Sequence, residues 1–390
     1  MVTKYQLVLI GNSSELKDTI INTFKKRVQD LGVNEDALSI LDEKTFEKEY
    51  RRNAPSAAVY FGGETTSFPN LDILTDLLGS SSFILPVVKD LARFTNLVPK
   101  QLFPINGFEL KSEMEVEALV SNILECLGLL RLSRRLFISY KRNESRSIAI
   151  QLFEKLEQAG FDVFLDTHSV RPGDTFQDEL WHRLVDTDVV VLLNSPGFLE
   201  SEWTTEEVAK ASAMSVGILQ LVWPNHSPER MSELSQLLYL KEDDFENKTF
   251  TDIRSHLLDS ANEKIIEQVE SLRARSLAAR QDNIIAEFMS AANSLNVVAN
   301  LQREKFITVE TSESKEVVLI PTIGVPHAFT YNQSEELIKR IRKHQTPQVF
   351  LLYDHRNIRE KWLTHLAWLD GYLPVNSLKI TEIEQWLKKA

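Results

Sequence analysis

Hydrophobic positions along the chain fall into two alternating periods. Short apolar runs such as Leu7–Ile10, Leu38–Leu41, Ala57–Phe61 and Phe83–Val88 read as buried strands. Between them, polar stretches carry apolar residues at helical spacing. Leu16, Ile20, Phe24 and Val28 recur at i+4, and Asn12 with Glu15 three positions on fits a helix start. A helix from about Ser112 to Leu129 closes this first segment with Leu119, Ile123 and Leu127 on one face. Strands alternating with helices predict a small parallel α/β sheet over 1–130.

The alternation resumes near Arg134. Leu136–Tyr140, Phe161–Leu165, Val189–Leu193 and Gly217–Val222 read as strands, and Ile148, Leu152 and Leu156 mark a helix that Gly160 ends. From Glu229 to Ile320 there is neither Gly nor Pro. Ile265, Val269, Leu272, Ile284 and Phe288 then predict one or two long helices, acting as a connector packed on a neighbouring domain or as a self-association surface. Beyond Phe306 a third α/β pattern follows, with strands at Phe306–Val309, Val317–Ile320 and Val349–Tyr353 and a helix carrying Trp362, Leu366 and Leu369. The expected organisation is therefore an α/β domain at 1–130, a second at 131–248, a helical connector at 249–303 and a small α/β domain at 304–390.

Composition narrows the function classes. A hydrophobic share of 43% and a charged share of 26% are those of a globular chain, and 390 residues predict two or three domains. The balance of 44 basic and 56 acidic residues gives −12, which disfavours nucleic acid and anionic membranes as general partners. No run approaches the ~20 apolar residues of a membrane span, so a cytoplasmic location is expected. The single cysteine, Cys126, excludes an intramolecular disulfide and a cysteine-rich zinc site, and its apolar helical setting reads as a buried structural thiol. Gly11-Asn12-Ser13-Ser14 sits at a strand–helix turn, but without GxGxxG or GK[ST] it reads as a helix cap rather than a phosphate cradle.

Chemistry concentrates in the second segment. Phe137-Ile138-Ser139-Tyr140-Lys141-Arg142 ends a strand. Leu156 begins LEQAGFDVFLDTHSVRPGDTF, a strand that empties into the polar loop Asp166 to Asp174. Asn194 begins NSPGFLESEWTTEEVAKA, which opens a helix. Each group follows a strand, so the three gather at one edge of a parallel sheet, where α/β folds bind ligands. These three motifs, in this order, resemble the Toll/interleukin-1 receptor (TIR) domain family.

The resemblance implies a flavodoxin-like parallel sheet in the middle of the chain, flanked by an amino-terminal α/β domain and a carboxyl-terminal helical plus α/β region. Many TIR domains cleave NAD+ at the nicotinamide–ribose bond, and others are adaptors that act only through TIR–TIR contact; both readings stay open. For the enzyme, the S-x-W-x-x-x-E stretch Ser201 to Glu207 makes Glu207 the catalytic carboxylate. Such a bond breaks through an oxocarbenium-like state that a carboxylate stabilises, and nicotinamide leaves without protonation. Trp203, at i−4 from Glu207, is placed to stack on a flat cationic ring, and Tyr140, Lys141, Arg142 and Asp166 join it in binding substrate. No metal and no cofactor are expected, NAD+ being the substrate. In the family the loop Arg171-Pro172-Gly173 commonly completes a neighbour's pocket, which implies self-association. His168 and His182 have no family role and read as surface histidines. The flanking domains would sense a trigger or partner protein, as in bacterial anti-phage TIR proteins. The first segment could be a degenerate copy of the same fold, and a nucleotide-binding sensor centred on the flanks is a further reading.

Overall fold

The computed structural model describes residues 5–31, 33, 35–52, 54–65, 67–79, 82–127, 129–165, 182–198, 211, 214–227, 235–302, 305–310, 316–341 and 347–389. The chain forms two compact units, 1–132 and 133–390.

In the first unit, strands β1 (Tyr5–Gly11), β2 (Leu38–Leu41), β3 (Ser56–Phe61), β4 (Phe83–Val88) and β5 (Phe108–Glu109) form one sheet in the order β2-β1-β3-β4-β5. Every pairing is parallel. Alternate residues of a strand face opposite sides, so Val8, Ile10, Ala58 and Tyr60 share one apolar cluster with Ile73, Leu74 and Leu77 of the helix Leu71–Gly79. Two further helices, Lys17–Asp30 and Val116–Cys126, are tied by Arg27, whose Nε and Nη2 donate to the two Glu117 oxygens at 2.9 and 2.6 Å. Burial, with Glu125 nearby, pushes the Cys126 thiol up to about 11, well above neutral pH.

The expected cap at Asn12 is corrected. The helix begins at Lys17, with Leu16 in the cap position and no side-chain cap. Asn12 instead donates from its backbone N and from Nδ2 to the Phe61 carbonyl, at 2.8 and 3.3 Å. Gly11 has φ +101°, and a Cβ there would collide with that same carbonyl. The chain must cross close over the end of β3 before it turns. That tertiary hydrogen bond outcompetes local capping.

The second unit carries two sheets. The middle one contains β6 (Arg135–Tyr140), β7 (Asp162–Leu165), β8 (Val189–Asn194), β9 (Gly217–Val222) and β10 (Gln236–Tyr239), ordered β10-β9-β8-β6-β7 and parallel throughout. Counted from its own first strand this is 2-1-3-4-5, the flavodoxin-like order and the order of the first sheet. Strand β8, Val-Val-Val-Leu-Leu-Asn, is buried along its whole length, as the centre of a sheet covered on both faces requires. The third sheet is mixed: β11 (Ala299–Leu301), β12 (Ile307–Glu310) and β13 (Glu316–Thr322) pair antiparallel, and β14 (Gln348–Tyr353) and β15 (Val375–Lys379) extend it in parallel.

A single helix of 36 residues, Asp259–Ser294, serves both sheets. Its Ala261, Ile265 and Val269 lie in the middle sheet's core with Leu219 and Leu221. Its Ile284, Ile285, Phe288 and Ala292 pack with Ile307 and Leu319 of the third sheet. Between those stripes the helix turns charged residues inward. Arg273 Nε donates to Asp188 Oδ2 at 2.8 Å, Arg134 pairs with Glu270, and Arg280 donates to the Thr187 and Val185 carbonyls. These contacts gather at the amino-terminal edge of the middle sheet.

The short helix 182–186 also joins the two sheets. Val185 belongs to the third sheet's apolar cluster with Phe306, Tyr331 and Ile338. Asp186 Oδ1 accepts from the Val325 amide at 3.3 Å. His182, half-buried, stacks on Trp362 with ring centres 5.6 Å apart. Among the described residues, no helix is long and apolar enough to cross a membrane.

Candidate functional site

The carboxyl-terminal edge of the middle sheet is where β6, β8 and β9 release their loops. Strand β6 ends at buried Tyr140, followed by half-buried Lys141 and by exposed Arg142, which opens the helix Arg142–Gln158. Strand β8 delivers Asn194, Ser195, Pro196 and Gly197, and β9 delivers Trp223 to His226.

One carboxylate joins the first two loops. Glu144 Oε1 lies 2.9 Å from Lys141 Nζ, and its Oε2 accepts from the Gly197 amide at 3.0 Å. Burial opposes ionisation of this carboxyl, but donation from Lys141 and the Gly197 amide outweighs it. Glu144 is therefore held below the usual carboxylate range. Lys141 is thus not an isolated cation poised for a phosphate.

A second set of hydrogen bonds runs along the edge toward β10. Asn194 Nδ2 donates to Gln220 Oε1 at 2.8 Å, and Gln220 Nε2 donates to Ser235 Oγ at 2.8 Å. The His226 ring Nε2 sits 3.2 Å from Asn194 Oδ1. Below them the Trp223 indole donates to the Phe250 carbonyl at 3.0 Å and meets the Phe245 ring edge-on. The edge is thus a polar rim anchored on an apolar floor.

Of the residues expected from sequence, the structure places Tyr140, Lys141 and Arg142 together at this edge. Asp166, Arg171, Pro172, Gly173, Trp203 and Glu207 lie outside the described residues, as does His168. Sequence reading placed Asn194 at this edge and missed Glu144, Gln220 and His226. A signal existed for two of them. Glu144 stands three residues after Lys141, helical ion-pair spacing, and Gln220 is the one polar residue inside the apolar run Gly217–Val222. Among the described residues no group of three or more His, Cys, Asp or Glu could hold a metal ion.

Comparison with known proteins agrees with this geometry. Residues 136–257 match the family model described as "TIR domain". Over 74 residues the chain is 34% identical to a protein of Brachypodium distachyon named probable 2′ cyclic ADP-D-ribose synthase BdTIR. That match covers 19% of this chain, which spans about a third (33%) of the length of this curated relative. A crystal structure from Silicibacter pomeroyi DSS-3, described as that of a phosphosugar isomerase on a provisional assignment, is 11% identical. The match covers 72% of this chain and 87% of that one, but its TM-score of 0.22 carries no argument. The parallel sheet in 2-1-3-4-5 order and the family match over the same segment identify residues 136–257 as a TIR domain.

Proposed function

We propose that the TIR domain is an NAD+ glycohydrolase that cleaves the nicotinamide–ribose bond, with Glu207 as the catalytic carboxylate. The observation that carries the reading is the run Ser201-Glu202-Trp203-Thr204-Thr205-Glu206-Glu207, which follows β8 in sequence within a segment matched as a TIR domain. The Brachypodium relative, named for making a cyclic ADP-ribose, supports the substrate class.

The chemistry asks little of the protein. Nicotinamide is cationic in NAD+ and departs as a neutral ring, so no general acid is required. Positive charge develops on the ribose, and one carboxylate suffices to stabilise it. Trp203 would stack on the nicotinamide ring, while Tyr140, Arg142 and Asp166 would line the rest of the substrate site. Lys141 would contribute its charge jointly with Glu144. No metal or cofactor enters the reaction.

Activity of this kind needs restraint, because an unrestrained NAD+ glycohydrolase depletes its own cell. Self-association through TIR domains, and a trigger or partner protein sensed by the flanking regions, would supply it. Anti-phage defence in the cytoplasm is the corresponding biological role. Concentrated full-length protein incubated with NAD+ should release nicotinamide, and Glu207→Ala should not. Equal release from both would remove the assignment. No release from either, in folded and assembled protein, would favour the non-enzymatic TIR adaptor.

A further inference from the structure

Sequence reasoning assigned the rim of this edge to residues that would touch substrate. Glu144 belongs to none of those groups, yet it is the atom-level junction of the rim. We propose that Glu144 is a positioning residue. Its carboxylate sets the Lys141 ammonium and the β8 turn at Gly197 in register, and so fixes the point from which the chain departs toward Trp203 and Glu207. This inference rests on the NAD+-cleaving reading and specifies how that site is held.

Three observations carry it. First, the two oxygens of one carboxylate serve two different loops: Oε1 takes Lys141 after β6 and Oε2 takes the Gly197 amide after β8. Donor and acceptor of the second bond are 53 residues apart in sequence, so it is a tertiary clamp and not a helix cap. Secondly, Gly197 is built to receive that clamp. A Cβ added there would fall on Lys141 Nζ and Glu144 Oε1, so the ion pair lies directly over the bare Cα. Gly197 is not among the glycines with positive φ, so glycine is needed here for space and not for backbone conformation. Thirdly, the carboxyl is held ionised by these same donors, and a charged acceptor makes the stronger hydrogen bond.

The consequence follows from geometry. A turn free to shift by about 1 Å carries the segment behind it, and misplacement on that scale costs about a hundredfold in rate. Glu144 itself is engaged on both oxygens, which suits holding the site rather than contacting the ribose.

The test uses full-length protein and nicotinamide release across a range of NAD+ concentrations, with the melting midpoint recorded for every variant. Glu144→Ala should lower kcat by about ten- to a hundredfold with KM little changed. Gly197→Ala should do the same, with a melting midpoint no lower than that of Glu144→Ala, because it dislodges only the flexible ends of two side chains. Glu144→Gln can still accept from the Gly197 amide and should recover part of the loss. The double variant Glu144→Ala/Gly197→Ala should fall no further than either single one, since both break one device. If Glu144→Ala destabilises the fold, Gly197→Ala decides the matter. Wild-type kcat in Gly197→Ala, or fully additive losses in the double variant, overturns the proposal. If Glu207→Ala is dead while Glu144→Ala turns over normally, only the positioning role falls. A wild-type chain that releases no nicotinamide sinks the NAD+ reading, and this inference with it.

Discussion

Arg273, in the middle of the long helix, and Asp188, at the foot of β8, form an ion pair with both side chains fully buried, Nε to Oδ2 at 2.8 Å. Ser276, one turn further along, donates to the Asp188 and Ser215 carbonyls. Removing one partner of such a pair leaves an uncompensated buried charge, at a cost of about 3–5 kcal/mol. Arg273→Met should therefore lower the stability of the second unit by that amount. Combining it with Asp188→Asn should restore a good part of it. Urea unfolding followed by tryptophan fluorescence reads both, and equal stability of Arg273→Met and wild type would contradict the account.

Excision of the TIR domain tests the same helix from the other side. A fragment 131–248 ends before Leu257, Ala261, Ile265 and Val269, all members of the middle sheet's core. Burying an aliphatic side chain contributes about 1.5–3 kcal/mol, so their joint loss exceeds the margin of a small domain. Fragment 131–248 should bind a hydrophobic dye and unfold without a sharp transition. Fragment 131–282, which keeps Arg273 and Arg280, should unfold cooperatively. The reverse ranking would refute the shared core.

Glu144 sets a pH dependence with a definite sign. Its folded pKa lies below its ordinary value of 4.5. Its stabilising contribution is therefore complete above about pH 4.5 and is lost as pH falls through the folded value. Melting midpoints of wild type and Glu144→Gln should differ near neutrality and converge under acid. A gap that persists unchanged into acid would mean that charge is not what the site uses.

Assembly makes a separate prediction. The polar segment Asp166 to Asp174 has a composition suited to meeting a neighbouring surface, and a head-to-tail contact propagates instead of closing at a pair. Turnover per molecule should rise with protein concentration, and Gly173→Pro should abolish it while leaving the melting midpoint near wild type. Flat specific activity over a hundredfold or so of dilution, with a monomer by light scattering, would leave a self-contained pocket.

What could be read in the chain depended on how local its cause was. Val189–Leu193 announces itself because a strand buried on both faces needs an unbroken apolar run. Phe108–Glu109, Gln236–Tyr239 and Ala299–Leu301 were missed because they are short and half-exposed, with too few residues for a period to show. Asn12 misled because a helix cap and a cross-strand hydrogen bond use the same side chain. In the site, Tyr140, Lys141 and Arg142 were legible as residues following a strand. The bond from Gly197 to Glu144 was not, since nothing local links residues that only the pairing of β6 with β8 brings together. The Arg273–Asp188 pair spans 85 positions and was invisible for the same reason.

The seat of helix 182–186 has a thermodynamic corollary. Its Val185 is part of the core of the carboxyl-terminal module, its His182 rests on Trp362, and the segment 166–174 proposed to reach a neighbouring protomer precedes it in sequence. Two equilibria that share one structural element are linked, and linkage is symmetric. Whatever factor a ligand of the carboxyl-terminal module applies to protomer association, association must apply in return to that ligand's affinity. A cell that concentrates these molecules into an assembly would, by that reciprocity, also change how tightly each one holds its signal.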